Sequence, residues 1–87
     1  MNIENNYYRR SSVTGRTYNL FQCVKILNTQ QAIFYLQHNV PLMDLQVSSS
    51  RKNDKPILVF IFKKLDTTEA WELWNIKKEE LYADFRD

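Results

Sequence analysis

Apolar residues along this chain fall into three kinds of pattern, and each predicts a different element. The first is a block. Pro56-Ile-Leu-Val-Phe-Ile-Phe62 sets six apolar residues in succession behind a proline. A run this short, β-branched and aromatic, bounded by Asn53-Asp54-Lys55 and by Lys63-Lys64, predicts a strand apolar on both faces. The second pattern is alternation. From Leu42 to Val47, Met43, Leu45 and Val47 fall on one face and Asp44 and Gln46 on the other, which predicts a half-buried strand. Leu20 to Ile26 alternates less cleanly and predicts an earlier strand.

The third pattern is helical. Asn28 with Gln31 makes a capping-box spacing ahead of a short helix over 29–38, and Asn39 followed by Pro41 supplies its stop. Asp66 with Glu69 makes a second capping box, with Leu65 and Ala70 placed to staple the entry. The helix expected there runs from about Thr67 to Tyr82. Its apolar stripe is Ala70, Trp71, Trp74, Leu81 and Phe85, and Glu72, Asn75 and Glu79 lie opposite.

The element order is therefore β-α-β-β-α, an α+β fold. The first two strands, joined by a helix, are expected to be parallel if they are neighbours. The last two form a hairpin whose connection, residues 48–55, is long and basic. The expected result is a three-stranded mixed sheet with two helices on one face, formed by a single domain over 20–87. Residues 1–19 read as a basic and aromatic N-terminal arm punctuated by Gly15, the chain's only glycine. A strand apolar on both faces then poses a problem of cover, because helices on one face leave the other bare. The arm, a second copy or a partner has to occupy it.

Composition narrows the class. An 87-residue chain lies near the lower limit for a self-sufficient core, and an aromatic content of 14% offsets its small size. The longest apolar run is far short of the roughly 18 residues a membrane span requires, so no membrane partner is expected. The opening Met1-Asn-Ile-Glu-Asn-Asn6 has no secretory pattern, and one cysteine, Cys23, suits a reducing compartment. A cytoplasmic setting is expected, in a bacterial cell or a phage-infected host.

The net charge of +2 conceals a polarised chain. Residues 51–64 carry five basic side chains against one acidic, whereas residues 65–87 carry seven acidic against three basic. Basic residues with interleaved tyrosines can bind nucleic acid through phosphate contacts and stacking. The same residues can equally orient a protein partner. The candidate contact residues are Tyr7, Tyr8, Arg9, Arg10, Arg16, Arg51, Lys52, Lys55, Lys63 and Lys64.

Candidate chemistry is sparse. Cys23 and His38 are single residues on different predicted elements, better read as a strand thiol and a histidine complementing a helix C-terminus. No two His or Cys residues stand at zinc-like spacing, so no metal or other cofactor is expected. The carboxylates Glu69, Glu72, Glu79, Glu80, Asp84 and Asp87 read as a solvated helix face. Trp71 and Trp74 read as core, with the condition that either one left exposed becomes a binding anchor.

Lys25-Ile-Leu-Asn-Thr-Gln-Gln-Ala-Ile-Phe-Tyr-Leu36, Leu58-Val-Phe-Ile-Phe62 and Glu69-Ala-Trp-Glu-Leu-Trp74 together carry a resemblance. Over about residues 20–82 the chain resembles the short domains of unknown function of low-GC Gram-positive bacteria, their phages and mobile elements. The resemblance implies an accessory protein that binds a host protein, for example a component of host defence, and it assigns no catalytic residue or cofactor. The function expected is a small non-enzymatic protein-binding module that occludes a partner or associates with itself as a homo-oligomer. The alternative is a nucleic-acid-binding protein using the arm and the 48–55 loop.

Overall fold

In the computed structural model the described residues are 7–50, 52 and 54–83. Strands β1 (Tyr8–Arg10) and β2 (Thr17–Asn19) form an antiparallel hairpin. A short 3-10 turn, Leu20–Gln22, leads into β3 (Cys23–Ile26), helix α1 (Thr29–Gln37), β4 (Leu42–Ser49), β5 (Pro56–Lys63) and helix α2 (Lys64–Ala83). The main sheet has the order β3-β5-β4, and both neighbour pairs are antiparallel. The α+β class is as expected, but the sheet is not mixed. β3 and β4 do run in the same direction, as a helical crossover requires, yet β5 lies between them and pairs with both.

Local chemistry explains most of the element ends. Asn28 caps α1, its side chain accepting from the Gln31 amide at 3.2 Å. Asn39 takes the left-handed conformation at φ 64°, and the Val40 amide reaches back to the Tyr35 carbonyl at 3.0 Å, closing the helix. The two hairpin loops end alike. Gly15 (φ 74°) and Asp54 (φ 55°) each donate an amide to the serine that opens the loop, Ser11 and Ser50. The earlier strand expected over 20–26 is shorter because Asn19 accepts from the Phe21 amide at 2.9 Å and turns the chain. α2 begins at Lys64, directly after β5, so Asp66 lies inside the first turn and complements the helix dipole instead of capping it.

β5 is covered on both sides. Phe60 and Phe62 face α1 and α2, in a cluster with Ala32, Tyr35, Val40, Ala70 and Trp74. Tyr35 meets Phe62 edge-on at 5.3 Å, and Phe34 meets Trp74 at 5.5 Å. Val59 and Ile61 face the other way and pack with Met43 and Tyr18, so the N-terminal hairpin forms the second layer. The arm answers the problem of cover.

β4 carries an irregularity that makes this possible. Its register on β5 shifts between Leu42, opposite Phe62, and Asp44, opposite Ile61. The shift changes the parity of the strand. Leu42 and Leu45 pack with the helical layer, whereas Met43 and Asp44 both serve the arm side. The expected face of Met43, Leu45 and Val47 is therefore split. Val47 and its opposite residue Leu58 remain 69% and 44% exposed, at the end of the sheet that the helices do not reach.

Asp44 fastens the arm. Its carboxylate accepts from Ser11 Oγ at 2.6 Å, Tyr18 Oη at 2.5 Å, Gln46 Nε2 at 3.2 Å and the Leu45 amide at 2.8 Å. Thr14 Oγ1 adds a bond to the Met43 carbonyl at 2.7 Å. Burial alone would raise the Asp44 pKa, but the bonds from Ser11, Tyr18, Gln46 and Leu45 outweigh it and hold the group below its ordinary value. Burial first, and then the hydrogen bond to Asp44 and its charge, push the Tyr18 phenol up to about 12.

Asp44→Ala leaves two buried hydroxyl donors, Ser11 and Tyr18, without their acceptor and is expected to cost about 3 kcal/mol in a urea titration. The depressed Asp44 pKa supports the fold above the unfolded value of about 4, and that contribution is lost as pH falls through the lower folded value. The raised Tyr18 pKa supports it below about 10, and that part is lost as pH rises towards 12. Tyr18→Phe should therefore reduce the alkaline loss to the part contributed by the raised Cys23 thiol and keep an acid one. Separately, Phe62→Ala and Ile61→Ala should each cost about 3 kcal/mol. A cost below about 1 kcal/mol for Ile61→Ala would mean that the arm does not cover that face in solution.

Candidate functional site

Of the ten residues expected to contact a partner, the nine that are described do not form one surface. Tyr8, Arg9, Arg10 and Arg16 are exposed on the N-terminal hairpin, and Arg9 Nη1 donates to the Tyr8 carbonyl at 2.9 Å. Tyr7 is half-buried against Phe21, with ring centroids 4.0 Å apart. Lys52 and Lys55 are exposed at the β4–β5 loop, and Lys63 and Lys64 at the junction of β5 and α2. At about 3.3 Å per residue, β5 separates Lys55 from Lys63 by about 26 Å. Arg51 lies outside the described residues, as do Phe85, Asp84 and Asp87.

The residues considered for chemistry are apart as well. Cys23 belongs with the arm-side cluster, and burial pushes its thiol pKa up while Lys63 partly offsets this. His38 is exposed at the end of α1 on the helical layer, its Nδ1 2.9 Å from the Phe34 carbonyl and its ring 4.1 Å from Phe34. No group of three or more His, Cys, Asp or Glu residues suited to a metal occurs among the described residues. Nor, among them, is any helix long and apolar enough to cross a membrane.

The surface that does assemble lies around the first turns of α2. Trp74 is buried, but Trp71 is 54% exposed. Thr67, Ala70 and Trp74 face the sheet, which turns Trp71 onto the flank. There it lines a mainly apolar groove of about 260 Å3 with Val24, Lys64, Thr67 and Thr68. A second mainly apolar groove, of about 230 Å3, is lined by Gln22, Lys63, Lys64 and Leu65. Lys64 borders both. Leu65 is 89% exposed on the second groove, and beside Gln22 in the chain Phe21 is 71% exposed, its ring tilted at 59° against Tyr7.

This arrangement is an apolar, aromatic-centred surface rimmed by two lysines. The groove walls named above contribute no carboxylate. It offers large rigid area near Trp71 and Phe21, with ammonium groups on flexible stems at its border. Sequence reasoning included Lys63, Lys64 and Tyr7 among its candidates and made Trp71 conditional on exposure, but it missed Phe21, Val24 and Leu65. The available signal was Trp71's place at the edge of the helical stripe, next to Lys64, Thr68 and Asn75 at helical spacings. Comparison with protein-family models, with curated proteins and with solved structures returned no match to this chain.

Proposed function

We propose that this chain is a non-catalytic protein-binding module whose contact surface is centred on Trp71. The observation that carries this reading is an indole more than half exposed on an apolar groove, in a small protein whose other tryptophan is buried. Leaving such a side chain in water forgoes burial that a partner can supply, and tryptophan is the residue type most enriched among binding anchors. Leu65 and Phe21 extend the apolar area, and Lys63 and Lys64 provide orientation and on-rate. Occupying a partner protein's surface, a host component or another copy, is the mode of action that suits a chain with this equipment. The split of the basic residues between two ends of β5 weighs against a continuous track for nucleic acid.

Affinity capture with the tagged chain from lysate of its native host, with and without nuclease, tests the reading. A protein recovered equally in both halves by the wild type, and at least tenfold less by Trp71→Ala, is the expected result, a loss of at least about 1.4 kcal/mol in binding. Circular dichroism should show both chains folded, since Trp71 lies outside the buried clusters. Recovery indifferent to Trp71, or recovery that collapses with nuclease, overturns the proposal.

A further inference from the structure

Of residues 7–19, only Ser11 and Tyr18 are buried, and both donate to the same carboxylate, Asp44. β1 and β2 make a sheet of their own, and among the described residues no ladder joins them to β3, β4 or β5. Further side-chain bonds run from Thr14 Oγ1 to the Met43 carbonyl and from Gln46 Nε2 to Tyr18 Oη. These fasteners all reach one short stretch of β4, from Met43 to Gln46.

The turn between β1 and β2 is complete without the rest of the fold. Ser11 Oγ accepts from the Val13 and Thr14 amides, the Gly15 amide donates to the Ser11 carbonyl, and the Ser11 amide donates to the Arg16 carbonyl. The hairpin can therefore move whole. Its connection to β3, Leu20–Gln22, has no buried residue, although Leu20 is half-buried against the arm-side cluster. The helical cover is attached differently. α2 follows β5 without a loop, and five buried residues, Ala32, Tyr35, Val40, Ala70 and Trp74, join Phe60 and Phe62 in one cluster. The clusters on the two sides of β5 share no buried residue, so one side can be bared while the other stays packed.

We propose that the N-terminal hairpin is a detachable strap: it swings away about Leu20–Gln22 as one unit while the three-stranded sheet and both helices stay folded, and Asp44 is its lock. Opening bares Met43, Val59 and Ile61, an apolar face that the closed molecule hides. A carboxylate suits a lock of this kind. Its bonds to the two hydroxyls are strong while the strap is closed, and water replaces them once it opens. A hairpin of three-residue strands has no third strand to steady it, so its detachment is the opening of lowest free energy in this fold.

Thiol labelling of the full chain, with Cys23→Ser as the background, tests the strap. Val59→Cys places a thiol under the strap and Val40→Cys one under the helices, and the two valines are matched in burial at 7% and 6% exposed. Position 59 should label about 100-fold faster than position 40 or more. Below the main unfolding transition it should also respond weakly to urea, because little surface opens, whereas position 40 responds steeply because it labels only on global unfolding. Adding Asp44→Asn, which removes the charge and keeps the shape, should speed labelling at position 59 about tenfold or more, with the helical circular dichroism unchanged. Hydrogen exchange on the unsubstituted chain makes the comparison even if a cysteine variant fails to fold. The Ser11 and Gly15 amides should exchange well before those of Phe60 to Phe62, and without steep urea dependence. Equal rates and equal urea dependence on the two sides of β5, by either method, overturn the strap, since the arm then leaves only with the whole fold. Labelling at position 59 that is indifferent to Asp44→Asn overturns Asp44 as the lock.

Discussion

β5 sends Phe60 and Phe62 to one side and Val59 and Ile61 to the other, all of them buried. Each large apolar side chain left in water would forfeit about 2 kcal/mol, so an 87-residue chain has to build two covers for one strand. The helices make one cover with Tyr35, Ala70 and Trp74. The other is a hairpin of three-residue strands, with Tyr18 as its large buried residue. So small a hairpin has little apolar area of its own and is marginal alone. What holds it is a buried carboxylate, Asp44, that collects Ser11 and Tyr18 from the arm and Gln46 and Leu45 from its own strand. A carboxylate with four donors answers the desolvation cost that would otherwise forbid it there. The β4 irregularity sets which side it faces. In strict alternation Asp44 would share the face of Leu42, among Phe60 and Phe62, and the register shift moves it to the arm.

How much of this was legible in the sequence depends on the range of the interaction. The caps of α1, Asn28 and Asn39, are local chemistry and were readable, as was the doubly apolar character of β5. The need for a second cover was readable too, with the arm as one of three candidates. The sheet order was not, because nothing in residues 20–47 shows that β5 will enter between two strands joined by a helix. The β4 shift was hidden for a related reason: Met43-Asp44-Leu45-Gln46-Val47 alternates, and only pairing with β5 reveals the extra residue. Alternation alone gives Asp44 no buried role, because its partners lie 26 and 33 residues away in the arm. The start of α2 was misplaced by a capping box that is present in the letters but falls inside the helix.

The candidate surface has the same mixture of origins. Trp71 and Trp74 are three residues apart, about 60° on the helix, and sequence alone assigns both to one stripe. Their fates diverge because the sheet beneath is uneven. β3, on the edge next to Trp71, is only four residues long, the chain before it having been turned aside by Asn19. Trp74 has Phe34 and the α1 side of the core to fill against, whereas Trp71 looks over a short edge strand with Val24 as its main apolar neighbour across the groove. A longer β3 would provide more wall there. The exposed indole is thus a consequence of how the arm enters the fold. The hydrogen bond that turns the chain at Asn19 ends the hairpin covering one face of β5 and also shortens the strand that leaves the other face open at its edge. Closure on the arm side and availability on the Trp71 side come from the same bend.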